Sequence, residues 1–276
     1  MTAPTATARR DRGEDRVQGG SDNLLRVMRS EWTKLWSLRS TWWTLLVMFV
    51  VTVGFSALAS WGTATHLNEA RRGGPLDPTN ISLAGILFGQ LAIAVLGVLV
   101  ISGEYSTGGI KSSLTAVPQR LRLLTGKAAV FTLVAVVSGL ITSFVSFYVG
   151  MVFFDAQNAG VAITQPHVLR AVIGGGLLLT ASGLLGYAFG TLLRHSAGAI
   201  SVSVALLFVI PIVLSAIPSD TVKSVNKYFL NSAGAHVTEV VRAPDALGPW
   251  QGYVVFVLEV AFVLLIGAVA MHRRDA

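Results

Sequence analysis

The sequence predicts an all-α integral membrane protein, with six membrane-spanning helices preceded by an amphipathic helix at the interface. Three observations carry this. Hydrophobic residues make up 53% of the 276 residues and charged ones only 13%, with a mean hydropathy of +0.65; a soluble domain carries about 25% charged residues. Six runs reach the length of about 20 apolar residues that a membrane helix needs. Lys and Arg fall unequally on the two sides that those runs define.

Residues 1–22 are rich in Arg, Asp, Gly, Thr and Ala and read as a disordered cytoplasmic tail. Ser21 and Asp22 are candidate caps for a helix over 23–40. Leu24, Leu25, Met28, Trp32, Leu35 and Trp36 fall on one face of it, and Arg26, Arg29, Lys34 and Ser37 on the other. That pattern predicts an interface helix, with its apolar side in the lipid boundary and its basic side toward headgroups or a partner.

The six runs are 41–61, 81–102, 128–154, 168–193, 198–217 and 250–271, forming with their loops a domain over 41–274. Hydrocarbon cannot satisfy open backbone groups, so each must be a helix. Trp42 and Trp43 open the first run, Trp61 closes it and Trp250 opens the sixth, as an aromatic belt requires. Ala57-Leu58-Ala59 resembles a signal-peptidase site, but the run before it has membrane length and some forty residues precede it. Gly85 with Gly89, and Gly186 with Gly190, have the spacing that lets helices approach closely. Pro211 predicts a kink in the fifth run.

The N-terminal forty residues, the loop 103–127, Arg194 and the C-terminal tail hold 15 of the 21 Lys and Arg, and the opposite side holds 6. The rich side is the cytoplasmic one, with both termini inside. The net charge of +7 then records topology, and nucleic acid is not an expected partner. On the outer side the longest loop spans 218–249, with TVKSVNKYFL and AHVTEVVR as candidate short helices. The sequence leaves open whether this loop re-enters the bundle.

Residues 103–127 keep their polar character between two long apolar runs. Ile110, Leu114 and Val117 have helical spacing, Gly108 and Gly109 loosen the start, and Pro118 stops it. This predicts a short amphipathic helix on the cytoplasmic side, held between two spans. Catalytic chemistry is not evident. Gly126-Lys127 lacks the upstream glycine of a phosphate-binding loop, GxSxG and HExxH are absent, and the five histidines have no ligand spacing. With no cysteine, thiolate metal sites are excluded. Glu259 lies about nine residues into the sixth run. Such a group is a candidate for ion relay or substrate contact, or is simply neutralised within the bundle.

The order of these features resembles the ABC-2 type permease family, the membrane subunits of ABC exporters. The strongest part is Glu104, Tyr105 and Gly108, then a helix, then Pro118, Arg120, Gly126 and Lys127 entering the third span. RSEWTKLWSLRSTWWTLL near the N-terminus is similar to bacterial members. The resemblance covers nearly all of residues 23–274. It implies a type V exporter-like fold in a bacterial plasma membrane. It implies a coupling helix docking on a separate ABC ATPase, through Glu104, Tyr105, Gly108, Ile110, Leu114, Pro118 and Arg120. An interface helix would meet the same partner through Leu25, Met28, Arg29, Trp32, Lys34 and Trp36. ATP and Mg2+ would be bound by that partner and no cofactor by this chain. Two permease copies, identical or paralogous, would form the pore in the bilayer, and the re-entrant segment would be 218–249. Efflux of drugs or lipids is among the activities of such permeases. The residues alone also allow an ion- or proton-coupled carrier using Glu259, or a scaffold subunit that transports nothing.

Overall fold

In the computed structural model the described residues are 20–72, 74–106, 120–241 and 246–273. They are helical, with no strand among them. The helices are α1 (Gly20–Ser37), α2 (Arg39–Thr65), α3 (Leu67–Arg72), α4 (Pro78–Ser82), α5 (Ile86–Ser106), α6 (Arg120–Asp155), α7 (Val168–Leu193), α8 (Ser196–Val204), α9 (Ile210–Ala216), α10 (Asp220–Asn226), α11 (Leu230–Ala235) and α12 (Pro249–Arg273). Six helical stretches are long and apolar enough to cross a membrane: α2, α5, α6, α7, the joined α8–α9 and α12.

The second span begins later than its apolar run. Asp77 caps a separate turn, its carboxylate accepting from the Asn80 N–H at 3.0 Å, and Pro78 starts that turn. α5 begins only after Gly85, whose backbone lies on α2: a Cβ there would be 1.9 Å from the Thr52 carbonyl oxygen. The third span is longer than its run. α6 has 36 residues, about 54 Å at 1.5 Å per residue, so it projects beyond a hydrocarbon core of about 30 Å.

α7 is the hub, with 72% of its membrane window buried, against 22% for α2 and 17% for the fifth span. It runs parallel to α5 at a constant register: Gln90 meets Ser182, Ala94 meets Gly186 and Val98 meets Gly190, each pair 92 positions apart. A Cβ on Gly186 would lie 2.1 Å from the Ala94 carbonyl oxygen, so only glycine permits this approach. The two predicted glycine pairs thus serve different contacts: Gly186 and Gly190 face α5, whereas Gly85 and Gly89 face α2. α2 is inside-out. Thr52, Ser56 and Ser60 are buried, while Trp42, Trp43 and Trp61 are more than half exposed. Lipid is as apolar as leucine, so association selects small residues rather than apolar ones.

The fifth span carries a π turn, Ala205–Val209, directly before Pro211. Proline has no N–H to offer the carbonyl four residues back. That carbonyl belongs to Leu207, and the Asn231 side chain donates to it at 3.0 Å. Asn231 also accepts from Gln90 at 2.8 Å, and Gln90 donates to Ser182 at 3.0 Å. The chain after the fifth span therefore folds back into the bundle, toward the end of α5 opposite Glu104. Leu207 lies nine residues before the last residue of α9, about 13 Å of helix.

Of the two candidate short helices in this loop, the first corresponds to α10. Of the second, the described residues form only the 3₁₀ turn His236–Thr238, followed by a bend at Val240 and Val241. Its backbone groups are taken by side chains. Asp77 accepts from the N–H groups of Val240 and Val241 at 2.7 and 2.9 Å, and Arg170 donates to the carbonyls of Val237 and Glu239 at 3.1 and 2.7 Å.

Candidate functional site at the basic end

The N-terminal helix, the end of the second span, the start of the third and the turn after the fourth meet at one end of the bundle. α1 leans on the projecting part of α6. Gly126 makes this possible: a Cβ there would be 2.7 Å from Val27 Cγ1. Val27 packs with Leu123 and Tyr105, and Leu35 with Val130 and Val134. Tyr105 lies under the Arg194 guanidinium, 5.2 Å from the ring centre, which ties α5 to the turn between α7 and α8.

Four charges sit within this packing. Lys127, 6% exposed, bonds the Glu31 carboxylate, 3% exposed. Lys127 also donates to Glu104 Oε1 at 2.9 Å. Lys34 donates to Glu31 Oε1 at 2.7 Å and to Glu104 Oε1 at 3.4 Å. Among the described residues its two carboxylates and two ammonium groups balance in charge. Burial pushes the Glu31 carboxyl up, but the ammonium groups of Lys127 and Lys34 outweigh it and hold it below its ordinary range. Burial likewise pushes the Lys34 ammonium down; Glu31 and Glu104 outweigh it and raise it above the ordinary lysine range. The cluster bolts α1 to both ends of the 103–127 segment, through Glu104 at one end and Lys127 at the other.

The sequence-predicted residues fall into three groups. Glu104 and Tyr105 are in this cluster, turned inward toward the bundle. Gly108, Ile110, Leu114 and Pro118 lie outside the described residues, and of Arg120 only the backbone is described, as the first residue of α6. On α1, Leu25 and Trp32 are exposed at 66% and 41%, Arg29 is exposed, and Met28 and Trp36 are half-buried. Lys34 departs from its expected place. It does not simply face headgroups with Arg26 and Arg29 but reaches back to two carboxylates. The buried stripe of α1 is Val27, Glu31 and Leu35, rotated from the stripe expected from hydrophobicity. Trp36 packs against Trp42, ring centres 4.5 Å apart and planes tilted by 49°, and its backbone carbonyl accepts from the Trp42 indole N–H at 3.2 Å, which fixes the elbow at Leu38. Glu31 was missed. Its i, i+4 spacing from Val27 and to Leu35 was the available signal.

Glu259 lies far from this cluster. The Leu230 N–H at the start of α11 faces its carboxyl, and Oε2 is buried without a hydrogen-bond partner among the described residues. No group of three or more His, Asp or Glu suited to a metal ion occurs among the described residues.

The fold and its basic end define a multi-pass helical membrane protein whose intracluster charges join an interface helix to an inter-span segment. Residues 27–212 match the family described as ABC-2 family transporter protein, and the chain belongs to that family. It is a membrane permease subunit of an ABC transporter, a class that implies an ABC ATPase as partner. The match begins at the buried stripe of α1 and ends just after Pro211. No curated protein matches the chain.

Proposed function

We propose that this permease works in an ATP-driven exporter, and that a separate ATPase docks on the 103–127 segment and on α1 from the cytoplasm. The observation that carries the reading is the Glu31–Lys127–Glu104–Lys34 cluster. A docked partner that displaces the segment also displaces α1 and the mouths of the second and third spans, because all are joined by buried charge pairs. Glu104 then acts as a positioning residue for the coupling segment. Ile110 and Leu114 are the contact residues, with Gly108 and Pro118 bounding them and Arg120 following. ATP and Mg2+ are bound by the partner. ATP drives the change only by binding one of the two permease states better than the other. Two copies, identical or paralogous, complete the pore in the plasma membrane, with both termini cytoplasmic. The excess of Lys and Arg at the clustered end supports that orientation.

The test is purification of the full chain in mild detergent from its native host, followed by identification of the proteins that come with it. An ATPase subunit is expected with the unmodified chain and is lost when Ile110 and Leu114 are both changed to Asp. Absence of any ATPase from a preparation that keeps the permease folded contradicts the reading.

One observation favours a second reading, a carrier driven by protons: the mid-span Glu259 with its unpartnered carboxylate oxygen. The two readings separate on Glu259→Gln. A permease driven by ATP keeps its ATP-dependent activity in that variant, and a carrier relaying protons through Glu259 loses transport.

A further inference from the structure

Far from the charge cluster, among α4, α5, α7 and α11, is a cavity of about 140 Å3. Gln90 lines it, 14 residues from Glu104 along α5, about 21 Å of helix. Ala84 and Leu87, both exposed, form its mouth. Gln90 and Leu178, 1% and 3% exposed, form its floor.

The hydrogen bonds fix which way each amide faces. The Leu207 carbonyl can only accept, so the Asn231 side chain turns its NH2 group there. The Asn231 oxygen then faces Gln90, which must donate to it, at 2.8 Å. The other N–H of the same Gln90 NH2 group goes to Ser182 Oγ at 3.0 Å, and Ser182 donates onward to the Leu178 carbonyl at 2.9 Å. Both donors of Gln90 are therefore used, and its Oε1 receives no hydrogen bond from a described residue. That oxygen is not among the unpartnered atoms sealed inside the protein, as Glu104 Oε2 and Glu259 Oε2 are. Since Gln90 lines the cavity and is otherwise enclosed, its Oε1 opens on the cavity.

A free acceptor on the floor of a cavity calls for a ligand with a proton to give. The described residues of the lining include no Asp, Glu, Lys, Arg or His, so a charged ligand finds no opposite charge among them. The other polar side chains of the lining, Asn80, Asn231 and Thr238, are already bonded to one another or to backbone. Leu83, Ile86, Leu87 and Leu178 make the rest of the wall largely apolar. A water takes about 30 Å3, and a row of waters along these walls would lack the 2–4 polar partners that each needs. A cavity of about 150 Å3 is large enough for a molecule the size of benzene.

We propose that this cavity binds a small neutral molecule with a hydroxyl group on an apolar stem of about six carbon atoms. The hydroxyl donates to Gln90 Oε1, and the stem lies against Leu83, Ile86 and Leu178. The inference rests on the fold of this chain and stands apart from the ATPase reading.

The test follows the Ile86 methyl signal by NMR in the full chain in detergent, titrated with phenol, toluene or benzylamine at matched concentrations in the micelle. Toluene puts a methyl group where phenol has its hydroxyl, and benzylamine is an ammonium at neutral pH. A neutral hydrogen bond corresponds to roughly fivefold in affinity. Phenol is therefore expected to shift the signal saturably, about fivefold tighter than toluene and tighter than benzylamine. Ala84→Leu narrows the mouth away from the Gln90–Asn231 pair and should abolish the saturable shift. Ala235→Leu, also in the lining, is the second blocking variant, used if Ala84→Leu does not keep the wild-type melting temperature. Gln90→Met removes the acceptor, and the preference for phenol should vanish with it. Equal binding of phenol and toluene, tighter binding of benzylamine, wild-type binding in a folded blocking variant, or a phenol preference that survives in folded Gln90→Met each overturns the proposal.

Discussion

Lys127 is the residue on which the basic end depends most. It is the cation shared by Glu31 and Glu104, and removing one partner of a buried ion pair costs about 3–5 kcal/mol, because the other charge stays buried. Lys127→Met should therefore lower stability by about that amount in thermal unfolding in detergent. Glu31→Leu combined with Lys127→Met should recover part of the loss, since neither member of that pair then remains charged. A double variant worse than the sum of the singles would contradict the pairing. The cluster also has a pH window. The Glu31 carboxyl is depressed in the folded protein, so its contribution is complete above the ordinary value of 4.5 and is lost as pH falls through the depressed value. The Lys34 ammonium is raised, so its contribution is complete below the ordinary value of 10.5 and is lost as pH rises through the raised one. Melting temperature measured against pH should show the Glu31-linked loss at the acid end disappear in Glu31→Gln.

At the scale of elements, two contacts decide how the helices are placed. Gly126 lets α1 approach α6, and any larger side chain there must push Val27 aside. Gly126→Leu should detach α1, seen as faster proteolysis at the elbow around Leu38, whereas an unchanged digestion pattern would show that α1 is held by other means. The segment after the fifth span is held through Asn231, which replaces the donor that Pro211 lacks. Asn231→Ala leaves the Leu207 carbonyl and a Gln90 donor contact unsatisfied, at roughly 1–3 kcal/mol for each buried group. Pro211→Ala restores a backbone N–H to that turn, so it should reduce the damage done by Asn231→Ala; strictly additive effects in unfolding measurements would refute the link. The spans were legible in the sequence because hydropathy and length suffice to define them. That Pro211 disturbs the fifth span was legible for the same local reason, and the disturbance takes the form of a π turn, but the donor that answers it lies 20 residues further on in α11, and nothing local points to Asn231. The second candidate helix of that loop failed because Asp77 and Arg170 take the backbone groups that a helix would have paired.

At the scale of the whole molecule, the family was legible from the order of its motifs, and its resemblance to ABC-2 permeases agrees with the match over residues 27–212. The arrangement of the basic end was only half legible. Glu104, Tyr105, Gly126 and Lys127 stood out, but Glu31 is 96 positions from Lys127, and its place on α1 is hidden by the inside-out logic of membrane packing. The most hydrophobic stripe of α1 can face lipid while a paired charge faces the protein. In the resulting account α1 and the two ends of the 103–127 segment form one mechanical unit, through which a bound ATPase acts on the spans. The absence of cysteine allows this to be measured directly. Spin labels at Thr33→Cys and Ala129→Cys, both exposed positions on α1 and α6, report the separation across the unit in the complex with its ATPase. The account predicts one narrow distance, unchanged between nucleotide-free and ATP-bound states, that broadens on adding Lys127→Met. A distance that changes with nucleotide in the unmodified background, or one indifferent to Lys127→Met, would contradict it.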